Sequence, residues 1–578
     1  MKKAVSLLFV LAFVFSCVAG VAEVSTYTAT YRGYTSDITV DVDFGFNAIS
    51  DVRVVSEKET NGIGSYAIDA LPKRILAEQT CYVDMVSGAT ATSAAIRAGV
   101  ADCLRQAGAD MSVFGRNSED PAPIDAAYNC DVVVIGAGAA GLTAAYEALC
   151  GGASVIVVEK MDIPGGNTVR SSGAWNVAAH PDQLAIHATN DNLVPNRTTV
   201  EDFVEYTMTG GHDINDIELV TYMVENSAPI TDWMRSLGFN CEFSGNASST
   251  SVPGVARGLI TGMKDRVVEK GGMILLSSKA ESILTNDEGA ACGIKGTTST
   301  SGALMVNAKA VVVATGGFGR NLEMVYELKP EYEGFISNNQ VGATGDGIIM
   351  AQAIGADVVD MEQIQAHPTV HQASANMLTE GCRGAGGILL NTSGKRFIDE
   401  CTYRDIVANA ILEQDQQYAY LLINQAIVDS NVNIAGYIDV GILKGPFETI
   451  EDVAEFMNAD TASVRETFDA WNGYVANEND PEFNSSFTWI RDLSEGPWYC
   501  AQVAPGIHHT MGGLKINTST EVIATTGEAI PGLFAAGEVT GGVHGGNRVG
   551  GNAILDCLVF GKTAGDSSAV YALNHAVE

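Results

Sequence analysis

The sequence predicts an α/β protein. A domain with a parallel sheet is split in two by an inserted α+β segment and is preceded by a small α+β unit. Three observations carry this expectation. A continuous apolar run, Val132-Val133-Val134-Ile135, leads into the glycine turn Gly136-Ala137-Gly138-Ala139-Ala140-Gly141 and then an apolar helix. Runs of the same kind return far downstream, at Ala310-Val311-Val312-Val313-Ala314 and at Gly532-Leu533-Phe534-Ala535-Ala536, each ending in a glycine turn. Such runs mark strands buried on both faces. The residues ahead of 112 alternate instead, as in Tyr27-Thr28-Ala29-Thr30-Tyr31 and Ile38-Thr39-Val40-Asp41-Val42, which is the period of half-buried strands.

The 578 residues exceed what one hydrophobic core supports, so two or three domains are expected. With 62 Gly and only 15 Pro, the composition suits a protein rich in glycine turns rather than a disordered chain. The net charge of −36 disfavours nucleic acid and anionic membrane as partners, and any anion site has to be a local basic pocket. Met1-Lys2-Lys3 followed by an apolar run from Ala4 to Phe15 reads as an export leader over residues 1–22, too short to span a membrane. Val14-Phe15-Ser16-Cys17 resembles a lipoprotein cleavage box with Cys17 as the lipidated residue, whereas Gly20-Val21-Ala22 offers an ordinary signal-peptidase site. Both remain open, so the expected location is periplasmic, extracellular or at the cell surface, with a lipid anchor as one form. None of the eleven Cys falls in a C-x-x-C pattern, so no metal or haem is expected and electrons must travel on another carrier.

The predicted organisation then runs in order. Residues 23–112 form the small α+β unit, with strands followed by a helix starting near Thr92; Thr90 or Thr92 is its candidate N-cap. Residues 113–129, rich in Asn, Ser, Asp and Pro, read as a linker. The split domain covers 130–361 and 507–578, and the inserted segment 362–506.

The first turn carries chemistry of its own. Gly136, Gly138 and Gly141 allow a tight turn and, with Ala137 and Ala140, a close approach to a pyrophosphate at the helix N-terminus. Glu159 closes the next strand, Val155-Ile156-Val157-Val158, where it would accept from ribose hydroxyls. Strand, turn, helix and acid in register indicate a Rossmann-like dinucleotide site. Gly165-Gly166-Asn167-Thr168, Thr315-Gly316-Gly317 and Gly537-Glu538 follow as further glycine turns. With these, the chain from about Asp131 onward resembles the fumarate reductase/succinate dehydrogenase flavoprotein superfamily. That resemblance implies FAD as the dinucleotide. It adds Lys160, Asn167, Thr168, Gly173, Thr315, Gly316, Gly317, Asp346, Glu538, Asn552, Ala553 and Ile554 to the FAD site. Some members tether FAD through a His where this chain has Asn167, so the FAD is expected to be non-covalent.

Five polar groupings follow in order: His367 in Gln365-Ala366-His367-Pro368-Thr369; Thr379-Glu380-Gly381-Cys382-Arg383; Arg404; His508-His509-Thr510; and Arg548 in His544-Gly545-Gly546-Asn547-Arg548. Their order and spacing are similar to those of the soluble, exported fumarate reductases. The resemblance implies that Arg404 protonates the substrate and is reprotonated through Glu380 and Arg383. It implies that Arg548 and His508 clamp one carboxylate, and that His367 and Thr379 bind the other. The inserted segment would act as a clamp closing over the flavin. Ala174-Trp175-Asn176 departs from the pattern in a loop expected near the flavin.

Asp84-Met85-Val86-Ser87-Gly88-Ala89-Thr90 resembles the flavinylation motif of FMN-binding domains. There FMN is esterified to the last Thr, here Thr90, by a separate flavin transferase. The resulting expectation is an FAD-dependent reductase of a small unsaturated carboxylate, most simply fumarate, in which FMN relays electrons from an external donor. Another 2-enoate, such as urocanate or a substituted acrylate, is the alternative substrate. An electron-transfer flavoprotein with no substrate of its own is the alternative class.

Overall fold

Alternation builds the first sheet. Strands Ser25–Arg32, Asp37–Gly45 and Ala48–Ser56 pair antiparallel in chain order. Ile38, Val40 and Val42 are fully buried on one face, while Thr28 pairs with Asp41 and Thr26 with Asp43 on the other. Helices Gly64–Glu78 and Thr90–Gln106 cover the apolar face with Leu71, Ile75, Ile96, Val100 and Leu104. These elements belong to one of two compact units, Met1–Ala122; the other is Pro123–Glu578. The computed structural model describes residues 24–34, 36–56, 59, 64–86, 89–115, 125–189, 197–244, 247–250, 255–299, 301–485, 487 and 491–575. The expected leader with Cys17, the Ser87-Gly88 pair and positions 116–124 of the expected linker lie outside these residues.

Three expectations for this half of the chain need correction. The helix begins at Thr90 rather than Thr92, and its N-cap is Ala89, with no side-chain cap. Thr92 is buried and its hydroxyl donates to Glu59 (2.8 Å) instead. The linker does not begin at 113: Asp110 caps a short helix, Met111–Phe114, whose Phe114 ring packs edge-on against Phe44 at 5.2 Å. Nor does the linker reach 129, because Ala126–Asn129 is a strand paired in parallel with Ala303–Asn307. Polar composition suggested loop at both ends, but capping and pairing decided otherwise.

The second unit holds a six-stranded sheet. Its order is Met273–Leu275, Val155–Val158, Val132–Ile135, Ala310–Val313, Ala529–Ala535 and Glu521–Ile523. All pairings are parallel except the last. The apolar runs at 132–135 and 310–313 are buried throughout. Helices Ala139–Cys150 and Asn552–Asn574 pack against each other and against this sheet.

The inserted segment has its own core, from Leu378 to Val503, around strands Ile364–His371, Trp498–Thr510, Ala419–Asn424 and Ile388–Leu390. The 362 and 506 boundaries do not separate two cores, however. Strand Trp498–Thr510 starts in the inserted core with Cys500 and Val503 and ends in the large one with Ile507. Ile364 and Ala366 belong to the large core too. Trp175, in the loop where the sequence departs from the family pattern, is fully buried, and its indole N–H donates to Thr231 (2.9 Å). The ten cysteines from Cys81 on are free thiols, five of them buried. No described helix is long and apolar enough to cross a membrane.

A buried ionic knot stabilises the inserted core. The Arg396 guanidinium meets Glu400 (2.7 Å) and Asp480 (3.1 Å) with all three side chains sealed from solvent, and it stacks over Trp471 at 4.3 Å. Replacing Arg396 by Met would strand two buried carboxylates. The expected loss is about 3–5 kcal/mol of stability, seen as a lowered urea midpoint. An unchanged midpoint would mean that the two carboxylates are protonated or hydrated rather than paired.

Candidate functional site

The glycine turn closes because two of its neighbours fit around it. Gly136 has φ +106°, and a Cβ on Gly141 would lie 2.0 Å from the Gly136 carbonyl. Glu159 accepts from the backbone N–H groups of Ala137 and Met161 (both 2.8 Å), fixing turn to strand. The helix starting at Ala139 has Gly138 as N-cap, whose side chain offers no cap; the Ala139 N–H donates to Thr168 (3.3 Å), and the start of the helix faces an open cleft. An uncapped helix start aimed at a cavity suits a phosphate.

Of the residues expected at the dinucleotide site, Gly136, Gly138, Ala140, Glu159, Lys160, Asn167, Thr168, Thr315, Gly316, Asp346 and Glu538 line this cleft. The other expected members do not line it. Ala137 and Gly141 shape the turn behind it. Gly317 packs on Thr510, and Asn552 bonds Asn176 (2.7 Å) and Thr207 (3.2 Å). Gly173, Ala553 and Ile554 lie outside the lining. Lys279, Gln340 and Cys557 join it without any local sequence signal, since loops and strands far apart in the chain bring them there. Lys160 is held by Asp346 (2.9 Å) and Thr344 (2.6 Å). The cleft therefore has a phosphate-binding turn, an acid beside the turn and a cation at its rim, a donor set that fits an adenine dinucleotide.

A second cluster lies in the same unit. Arg404 is the first residue of helix Arg404–Leu412, a poor place for a cation in the helix field, and only its other contacts explain it. Its Nε donates to Glu380, and its Nη1 donates to Gln365 (2.9 Å). Gln365 also donates to Asn547 and to the Arg548 carbonyl (2.9 Å), tying both arginines to one strand. The sequence reading did not assign Gln365 a role. Its position two residues before His367, on the same face of the strand, was the available signal.

His367 is completely buried. Its Nδ1 accepts from the Thr369 N–H (3.3 Å), so the ring proton sits on Nε2, which has no hydrogen-bond partner closer than Glu380 Oε1, 3.8 Å away. Burial pushes this imidazole down to about 4, so it is neutral near pH 7. His508 Nε2 accepts from Arg548 Nη2 (2.8 Å), and the two histidine rings stand edge to face 5.3 Å apart. Arg548 Nε has no partner either. Burial raises Glu380, but Arg404 and His367 outweigh it and hold the carboxyl well below its usual range.

Thr379 is half-buried, and its N–H donates to the Tyr437 hydroxyl (3.1 Å), another contact that the sequence did not suggest. Arg383 departs from the implied relay. It is buried, but it donates to the Glu400 carbonyl and, among the described residues, makes no hydrogen bond to Glu380. Among the described residues, cations and N–H donors surround a single carboxylate here, an arrangement whose chemistry suits an anion. Among the described residues, no group of three or more His, Cys, Asp or Glu could hold a metal ion.

In the first unit, Thr90 is exposed in the first turn of an uncapped helix, whereas Thr92 is buried and occupied by Glu59. Only the former is open to modification.

The chain matches two families: FAD binding domain over residues 131–554 and FMN-binding domain over residues 33–105. It is 34% identical over 552 residues to an NADH:fumarate oxidoreductase of Klebsiella pneumoniae. The match covers 94% of this chain and 58% of that protein, so the chain spans little more than half of that relative's length. It is 34% identical over 587 residues to a urocanate reductase of Eggerthella lenta, covering 96% of this chain and 94% of that one. A solved flavocytochrome c3 fumarate reductase in an open conformation shares 38% identity and a TM-score of 0.64, over 77% of this chain and 79% of that one. The chain thus belongs to the flavoprotein family of fumarate and 2-enoate reductases, FAD-dependent oxidoreductases acting on carbon–carbon double bonds, and carries an FMN-binding domain ahead of its FAD-binding domain.

Proposed function

We propose that the chain reduces the double bond of a small unsaturated dicarboxylate, with fumarate to succinate as the reaction. One observation carries this reading: buried donors on His367 and Arg548 that make no hydrogen bond flank Arg404, and a single carboxylate, Glu380, is bonded to Arg404 and lies 3.8 Å from His367 Nε2, on a chain of net charge −36. Bound FAD supplies the hydride, and FMN supplies a relay from an external donor. Arg548 and His508 hold one carboxylate, and His367 Nε2–H with Thr379 holds the other. Arg404 uses Nε on Glu380 and Nη1 on Gln365, which leaves Nη2 to deliver the proton and polarise the alkene. The guanidinium is then restored by a proton from water that passes by way of Glu380, which gives it up again and stays a carboxylate. The bond of Arg383 to the Glu400 carbonyl supports a role in placing the Glu380 turn rather than in passing the proton.

The relative named for urocanate supports a second reading, a mono-carboxylate enoate. Steady-state reduction of fumarate, urocanate and a substituted acrylate with reduced viologen separates the two. Fumarate is expected to be the fastest; preference for either of the others overturns the dicarboxylate assignment.

Arg404→Ala is expected to lower kcat by about 10²–10⁴-fold while FAD stays bound and reducible. Arg548→Ala should instead raise KM strongly. Stopped-flow reoxidation of the photoreduced enzyme by fumarate checks both, and an Arg404→Ala variant as fast as wild type removes Arg404 as the acid.

FMN attachment is assigned to Thr90. Thr90→Ala, co-expressed with a flavin transferase, should lack the FMN-sized mass of the wild type while retaining FAD. An undiminished adduct would move the ester elsewhere.

His367 also makes stability depend on pH. Its folded value, about 4, lies below the ordinary 6.5. Above pH 6.5 both states are neutral and nothing changes. As pH falls from 6.5 to 4 the unfolded chain takes up a proton that the buried ring refuses, and stability drops by up to about 3 kcal/mol. His367→Gln should flatten the fall in denaturation midpoint over that window. An equal slope would place the titrating group elsewhere.

A further inference from the structure

His508 faces two incompatible demands. Arg548 Nη2 lies 2.8 Å from His508 Nε2, and a guanidinium only donates, so that nitrogen accepts. The ring proton is then on Nδ1, 3.0 Å from Asn338 Oδ1. A carboxylate also only accepts. To hold one, Nε2 must carry the proton, and Nδ1 must become an acceptor.

Asn338 is placed to meet both demands. The residue is 8% exposed, and its Nδ2 has no hydrogen-bond partner although it is buried. The backbone around it is pinned: Asn338 N–H donates to the Ile507 carbonyl (3.1 Å), and Ile507 N–H donates to Ile336 (2.8 Å). On the other side of His508, Asn339 Nδ2 donates to the His508 carbonyl (2.6 Å). The main chains are therefore fixed and only the amide is free to turn. We propose that Asn338 is a positioning residue that reverses its amide, Oδ1 accepting from Nδ1–H before substrate arrives and Nδ2–H donating to Nδ1 once Nε2–H holds the carboxylate. This rests on the dicarboxylate reading above.

The ring stays neutral: Nδ1 gives its proton to water entering with the substrate, and Nε2 takes one from it. The charged and titratable groups around His508 are Arg404, Arg548, His367 and His509. Burial and the two arginines hold the imidazole well below its usual range, so a doubly protonated ring is disfavoured in the wild type.

The test uses the full chain loaded with both flavins. Asn338→Asp offers acceptors only and keeps the proton on Nδ1, so Nε2 can hold a carboxylate only after the ring becomes charged. KM for fumarate should rise about tenfold at pH 8 and return toward wild type at pH 6, with kcat little changed. Asn338→Leu, which loses both bonds, should raise KM equally at both pH values. Nitrogen-15 histidine spectra of the wild type should show His508 protonated on Nδ1 when free and on Nε2 with succinate bound. If Nδ1 keeps the proton in the succinate complex, or if the Asp variant's KM follows the wild-type pH profile while fumarate is still reduced, the switch is overturned and the dicarboxylate reading stands. If the wild type reduces no dicarboxylate, that reading falls and takes the switch with it.

Discussion

The guanidinium groups of Arg383, Arg404 and Arg548 are all nine-tenths buried or more, in a molecule whose surface is overwhelmingly acidic. Burying such charge is costly unless each group is paired or hydrogen-bonded. Among the described residues, only one carboxylate, Glu380, is bonded directly to this cluster. The remaining compensation comes from neutral oxygens: Gln365 for Arg404, the Glu400 carbonyl for Arg383 and, at 3.4 Å, the Val549 carbonyl for Arg548. His367 and His508 are held neutral and add no charge of their own near pH 7. The site thus keeps an excess of positive charge that a dianion would balance, and the surrounding architecture can be understood as the means of holding it in place.

Strand Trp498–Thr510 is the main connector. It is anchored in the inserted core at one end, crosses into the large core, and places His508 and Thr510 at its far end. The Thr510 N–H donates to Glu538 (3.1 Å), which lines the dinucleotide cleft and also accepts from Asn167 (3.3 Å). Asn167 in turn donates to Asn339, whose amide holds the His508 carbonyl. A continuous set of hydrogen bonds therefore links the glycine loop of the cofactor cleft to the anion cluster. This gives a physical route by which occupancy of one site can stiffen the other.

The N-terminal unit solves a separate problem. Its helix Thr90–Gln106 has Ala89 as N-cap, which offers the first turn no side-chain acceptor, and a phosphate ester there would meet the positive end of the helix. Thr90 is the exposed hydroxyl there, and the competing Thr92 is spent on Glu59. The missing cap, a local weakness, is what makes the position suitable for modification.

Read alone, the sequence determined the parts whose signals are local. The parallel strands were legible because Val132–Ile135 and Ala310–Val313 are uninterrupted apolar runs. The dinucleotide turn was legible because Gly136, Gly138, Gly141 and Glu159 stand in register with them. The anion site was legible only as an ordered set of His, Arg and Glu motifs that matched a known family. What the tertiary structure decided depends on contacts between distant segments. Whether Arg383 touches Glu380 or Glu400, where the inserted core ends along a 13-residue strand, and which side Trp175 faces are questions of packing. So is the placing of Gln365, Tyr437 and Asn338 beside the site. Apart from Gln365, which shares a strand face with His367, none of these follows a period of 2 or 3.6, and each is set by which backbone happens to lie opposite once the sheets have formed.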